Sequence, residues 1–164
     1  MRILHTSDWH LGQHFMGKSR QAEHQALIDW LLAQVDAHAV DAVLIAGYIF
    51  DTGAPPSYAR ELYSDLVVKL HHAGVALLLL GGNHDSVATL GESRALLEVL
   101  NTTVVAAVSA PADHVVVLPQ RDGTAGCIVC AVPFVRPRDV LQSQAGQSAE
   151  EKQQGLQAAI QGYY

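Results

Sequence analysis

The chain has 164 residues, 49% of them hydrophobic, and a formal charge of −6 with its nine histidines counted neutral. That suffices for one domain with a substantial core and is too apolar for intrinsic disorder. The acidic balance argues against a broad basic DNA-binding face. No run approaches the roughly 18 apolar residues of a membrane span, and Met1-Arg2 leads straight into a β-like segment rather than a signal sequence; a cytoplasmic, membrane-free protein is expected.

RILHTSD opens the chain with a short strand. Residues 21–38 place Leu27, Trp30, Leu31 and Val35 at helical spacing, one face of an amphipathic helix. AVLIAG is a continuous apolar run, suited to a strand buried on both faces. Pro55-Pro56 breaks the chain and Ser57 is placed to cap a helix carrying Ala59, Leu62, Tyr63, Leu66, Val67 and Leu70. Gly74 ends it, VALLLL is the third strand, and GGNHDS turns into a further helix through about Leu100. TTVVAAV, HVVVLP and GCIVCAVPF then read as strands of a partly antiparallel extension. Pro133 and Pro137 bound a loop, and Ser148 with Glu151 forms a capping box for a last helix. That helix stops without a clear cap, which suggests a cut within a larger protein or an unusually short relative of one. Alternating β and α elements imply an α/β fold of βαβ layers with a mixed sheet.

Cys127 and Cys130, three apart in one strand, point to opposite faces and have no second cysteine pair. They are expected to be buried thiols rather than a zinc site. His5 is placed within the first strand, and His24, His38, His71 and His72 near polar helix positions. His114 is expected to face solvent.

In a parallel α/β sheet, ligands gather at the carboxyl ends of the strands. Three strand ends here carry Asp8-Trp9-His10, then Gly47-Tyr48-Ile49-Phe50-Asp51, then Gly82-Asn83-His84-Asp85. Each alone is a common turn sequence, but the three in this order resemble the metallophosphoesterase signature of Asp-x-His, Gly-Asp-x-x-Asp and Gly-Asn-His-(Asp or Glu). HTSDWHLG, FDTGAPPSYAR, GNHDSVATL, NTTVVA, PFVRPRD and SQAG narrow the likeness. Together they resemble the SbcD-type nuclease subunits, relatives of the double-strand-break-repair nucleases of archaea and eukaryotes.

The resemblance spans the chain from Met1 and corresponds to the N-terminal part of that family's length. It implies that residues 1–164 are the N-terminal part of a truncated metallophosphoesterase nuclease domain, without the capping and partner-binding regions. It further implies a pair of Mn²⁺ ions, with Asp8 and His10 on one and Asn83 on the other. His84 would act at the scissile phosphate, oriented by Asp51. His14, Arg136 and Arg138 would be candidates for contact with substrate phosphates. An SbcC-type ATPase and double-stranded DNA ends and hairpins are the implied partners, in DNA repair and recombination, and the family allows a homodimer.

Tyr48 departs from the pattern, standing where the family carries the aspartate that bridges the ions. Two doubly charged ions about 4 Å apart repel by roughly 17 kcal/mol even at an effective dielectric near 20. A phenol with a reference pKa near 10 is mostly neutral at pH 7 and offsets little of that. The family's late Gly-His-x-His ligands also have no counterpart here: after His84 the only histidine is His114. The two-ion centre is therefore expected to be lost or weakened. Alternative readings are a non-catalytic binding module of the same descent and a small nucleotide phosphodiesterase.

Overall fold

The structure, a computed structural model, describes residues 1–141 and 148–164. In chain order its strands and α-helices are β1 (Ile3–Thr6), β2 (His14–Phe15), β3 (Lys18–Ser19), α1 (Gln21–Ala37), β4 (Ala42–Ala46), α2 (Ser57–His72), β5 (Ala76–Leu80), α3 (Val87–Gly91), α4 (Arg94–Val99), β6 (Thr102–Val105), β7 (Val115–Pro119), β8 (Ala125–Cys130), α5 (Pro137–Val140) and α6 (Ala149–Tyr163). The Ser143-Gln144-Ala145-Gly146 motif lies outside the described residues.

Four parallel strands in the order β1-β4-β5-β6 form the central sheet. Side chains alternate across it, and each face builds its own core. Val43, Ile45, Leu77 and Leu79 pack against Ile28, Leu31 and Val35 of α1 and Leu62, Leu66 and Leu70 of α2. Ala42, Ala76 and Leu78 on the opposite face meet Leu118, Val116, Cys127 and Val129 of the antiparallel β7–β8 hairpin. Each fully buried aliphatic side chain contributes about 1.5–3 kcal/mol of transfer free energy. Of the three segments expected in a partly antiparallel extension, TTVVAAV supplies β6 of the parallel central sheet, and the other two form a separate two-stranded layer.

Several expectations need correction. The buried stripe of α1 is His24, Ile28, Leu31 and Val35, while Trp30 is exposed. The helix expected through Leu100 divides into α3 and α4, because Gly91 and Ser93 favour interruption over continuation. Pro56 takes the cap position of α2, and Ser57 is its first helical residue. Cys127 turns inward as expected, but Cys130 is exposed on the outer face of β8. His114 is buried, not solvent-facing, with Nε2 accepting the Ser109 amide at 3.0 Å and its ring edge-on to Tyr163. The Ser148–Glu151 capping box is present. Among the described residues no helix is long and apolar enough to cross a membrane.

Candidate metal and nucleic-acid site

Three loops converge where β1, β4 and β5 end. The first and second are zipped together by their backbones: the His10 amide donates to the Tyr48 carbonyl at 2.8 Å, Leu11 to Ile49 at 2.9 Å, and Asp51 to the Leu11 carbonyl at 3.0 Å. Asp8, His10 and Tyr48 all adopt positive φ, at 60°, 50° and 52°. Asp and His tolerate this left-handed conformation, whereas it is unusual for a bulky side chain such as tyrosine. The second and third loops meet glycine to glycine. A Cβ on Gly82 would lie 2.7 Å from the Tyr48 amide nitrogen, and one on Gly47 3.0 Å from Gly82 Cα. No larger residue fits between these backbones.

Asp85 holds the junction shut. Its side chain is only 4% exposed, and its carboxylate accepts the amides of Gly82 at 2.8 Å, Phe50 at 3.0 Å and Ile49 at 3.3 Å. Asp85 fills the last position of the third motif, a signal in the sequence to which the motif alone attaches no role. Arg136 braces the same loop from outside, donating through Nη2 to the carbonyls of Gly82 and Asp85, each at 3.0 Å. Where the resemblance suggested a phosphate-contacting arm, the structure turns the Arg136 guanidinium inward onto these two carbonyls. Arg138 remains exposed, 3.9 Å from Asp139, and His14 lies on β2 with Nδ1 3.1 Å from the Gly12 carbonyl.

The chemistry-bearing side chains take a different arrangement from the expected one. The Asp51 carboxylate pairs with His10 Nδ1 at 3.0 Å, and His84 Nδ1 meets the Asp51 carbonyl instead, at 3.3 Å. In the structure the Asp51 side chain thus meets His10, and it is the Asp51 backbone that meets the His84 ring. A carboxylate on one ring nitrogen is the usual outer support of a metal-binding histidine and leaves the other nitrogen for an ion. The Asp8 carboxylate accepts from the Ser7 hydroxyl. Tyr48 packs against both histidines, its ring centroid 5.1 Å from that of His10 and 5.2 Å from that of His84, and these two lie 5.7 Å from each other, so the three rings form a triangle.

These residues do not fit a two-ion centre. A phenol ring packs against both His10 and His84 where the family pattern has a carboxylate, and no group of three or more His, Cys, Asp or Glu side chains converges among the described residues. Asp8, the free nitrogen of His10 and the Asn83 oxygen are what remains. A cavity of about 560 Å³ lies beyond β6 against His114 and contains none of these donors.

His24 lies beneath the site on α1, with Nδ1 buried and unpartnered. Burial, aided by the nearby Arg20 charge, holds its pKa below the ordinary 6.5. The unfolded chain therefore takes up this proton first as pH falls. The resulting stability is complete above pH 6.5 and is lost as pH drops below it. Chemical denaturation at about pH 7 and about pH 5.5 is expected to show a smaller loss on acidification for His24→Leu than for the parent chain. An equal loss in both would show that His24 is not the group responsible.

Residues 1–130 match the calcineurin-like phosphoesterase family. The chain is 60% identical to the SbcD subunit of the SbcCD nuclease of Escherichia coli strain K12, over all of this chain and 40% of that protein. Identity to the SbcD subunit of the Rhodobacter capsulatus nuclease is 37%, covering 97% of this chain and 41% of the relative. The SbcD subunit of Bacillus subtilis is 40% identical over 87 residues, which is 52% of this chain and 22% of that protein. The chain thus spans about two fifths of the length of the first two of these relatives.

Proposed function

The chain belongs to the calcineurin-like phosphoesterase family, and from this we infer that it is the N-terminal part of an SbcD-type DNA-end-processing nuclease domain whose own hydrolytic centre is disabled. Its similarity to the SbcD proteins supports the lineage. In that lineage the reaction is Mn²⁺-dependent cleavage of duplex ends and hairpins with an SbcC-type ATPase. Asp8, His10 and Asn83 are the proposed remnant of the ion-binding set. The observation that carries the loss of hydrolysis is the Tyr48 ring packed against both His10 and His84 at the place of the bridging carboxylate.

A bridging carboxylate would draw two cations together and offset their repulsion; the phenol supplies neither the charge nor the short reach. End-labelled duplex incubated with Mn²⁺ is expected to show no cleavage above a chelated control. Metal-dependent cleavage by the unaltered chain would sink the reading. Turnover of a small aryl phosphodiester without attack on DNA would instead favour a nucleotide phosphodiesterase.

A further inference from the structure

Beside Tyr48 lies a cavity of about 190 Å³, walled by Tyr48, Pro133 and Phe134 and lined by Gly47, Gly82 and Asn83. It is smaller than the roughly 300–1,000 Å³ of drug-sized sites, which restricts it to a single ring system. Phe134 is 45% exposed, an aromatic face left open beside polar loops. It is nonetheless anchored: its amide donates to the Gly81 carbonyl at 2.8 Å, and the Arg136 guanidinium sits 6.0 Å from its ring centroid. The Asn83 carboxamide makes no hydrogen bond to protein among the described residues. The glycines put bare backbone beside the cavity, so a flat ligand can approach without meeting a side chain.

Two aromatic side chains, a glycine lining and an uncommitted carboxamide match one chemical class. A nucleobase has π-faces that stack on aromatic rings, and an edge that pairs with an amide. Asparagine can bond the N6 and N7 edge of adenine in bidentate fashion. We propose that this cavity is a nucleobase slot that takes the unpaired terminal base of a DNA end, adenine best, without a metal ion. The proposal rests on the DNA-end reading above for the molecule that carries the base. The slot itself stands on Tyr48, Asn83 and Phe134.

The test uses a fluorescent duplex with a 3′ overhang in chelator, ending either in adenine or in an abasic sugar. Loss of the terminal base and Phe134→Ala are each expected to weaken binding about tenfold, within the range of one base–aromatic stack. On the abasic end Phe134→Ala should weaken binding no further, because the stack it removes is already gone. Phe134→Trp should retain binding, and Asn83→Asp should erase the preference for adenine over thymine. Equal affinity for the abasic end, or additive losses from the two changes, would overturn the slot. If DNA does not bind but 2′-deoxyadenosine shifts the Tyr48 and Phe134 ring resonances, the DNA-end reading falls and the slot stands. If neither ligand registers, the slot falls.

Discussion

Tyr48→Asp is expected to raise the apparent affinity for Mn²⁺ at least about tenfold over that of the parent chain. The new carboxylate would join Asp8, the outward nitrogen of His10 and the Asn83 oxygen, a mixed oxygen and nitrogen set suited to Mn²⁺. It would also vacate the space that the phenol ring takes beside His10 and His84. Two effects on the metal-free protein oppose each other. Tyrosine at a φ of 52° is strained by roughly 1–2 kcal/mol, whereas aspartate tolerates that conformation. Against this, a third carboxylate beside Asp8 and Asp51 adds like-charge repulsion. The metal-free melting temperature should therefore change little.

Adding Mn²⁺ separates the two proteins. At one hundred times its Kd a bound ion stabilises the fold by about 2.7 kcal/mol, which raises the melting temperature by roughly 5–10 °C for a chain of this size. The parent should show no comparable shift. An equal shift in both proteins would mean that the phenol does not obstruct the site. Cleavage of DNA is not expected to return with the aspartate, because no further histidine ligands converge on these loops among the described residues. In the base-slot assay the same substitution should weaken binding, since it removes one aromatic side chain. Opposite responses to Mn²⁺ and to the terminal base would show that Tyr48 changed what the pocket holds.

Loop order and strand ends were legible in the sequence because each rests on local pattern. AVLIA and ALLLL alternate between two buried faces, and a glycine follows each at the point where the chain turns into a polar loop. The position of Tyr48 was legible too, since it breaks a motif at a numbered place. Orientation was not. Whether Asp51 meets His10 or His84 depends on how the first two loops zip together, and those backbone bonds join residues about 40 apart. Arg136 looked like a surface cation because nothing nearby in sequence shows that the Gly82 and Asp85 carbonyls lie within its reach. His24 and His114 were misplaced for a related reason: histidine is amphipathic, and local pattern alone does not decide whether a given one is buried.

The largest expected loss of stability falls on Asp85, a residue outside the proposed chemistry. Asp85→Ala strands three backbone amides, those of Ile49, Phe50 and Gly82, in a place where the carboxylate was 4% exposed. An unsatisfied buried donor costs about 1–3 kcal/mol, and partial relaxation keeps the sum on the order of 3–5 kcal/mol. That is a large share of the 5–15 kcal/mol typical of a folded domain. Asp85→Asn should be milder, roughly 2–3 kcal/mol, because its oxygen still accepts while its amino group faces donors it cannot bond. Urea denaturation would rank the parent above the asparagine variant and the alanine variant last. Hydrogen exchange supplies the local signature: the Ile49 and Phe50 amides should lose protection in the asparagine variant before the central strands do. A loss below about 1 kcal/mol for Asp85→Ala would mean that the loops are held by the Gly47–Gly82 contact alone. The expected outcome makes the second and third loops one unit. Tyr48, its backbone held between that bolt and the His10 amide, then sits on a fixed loop with its ring against both histidines.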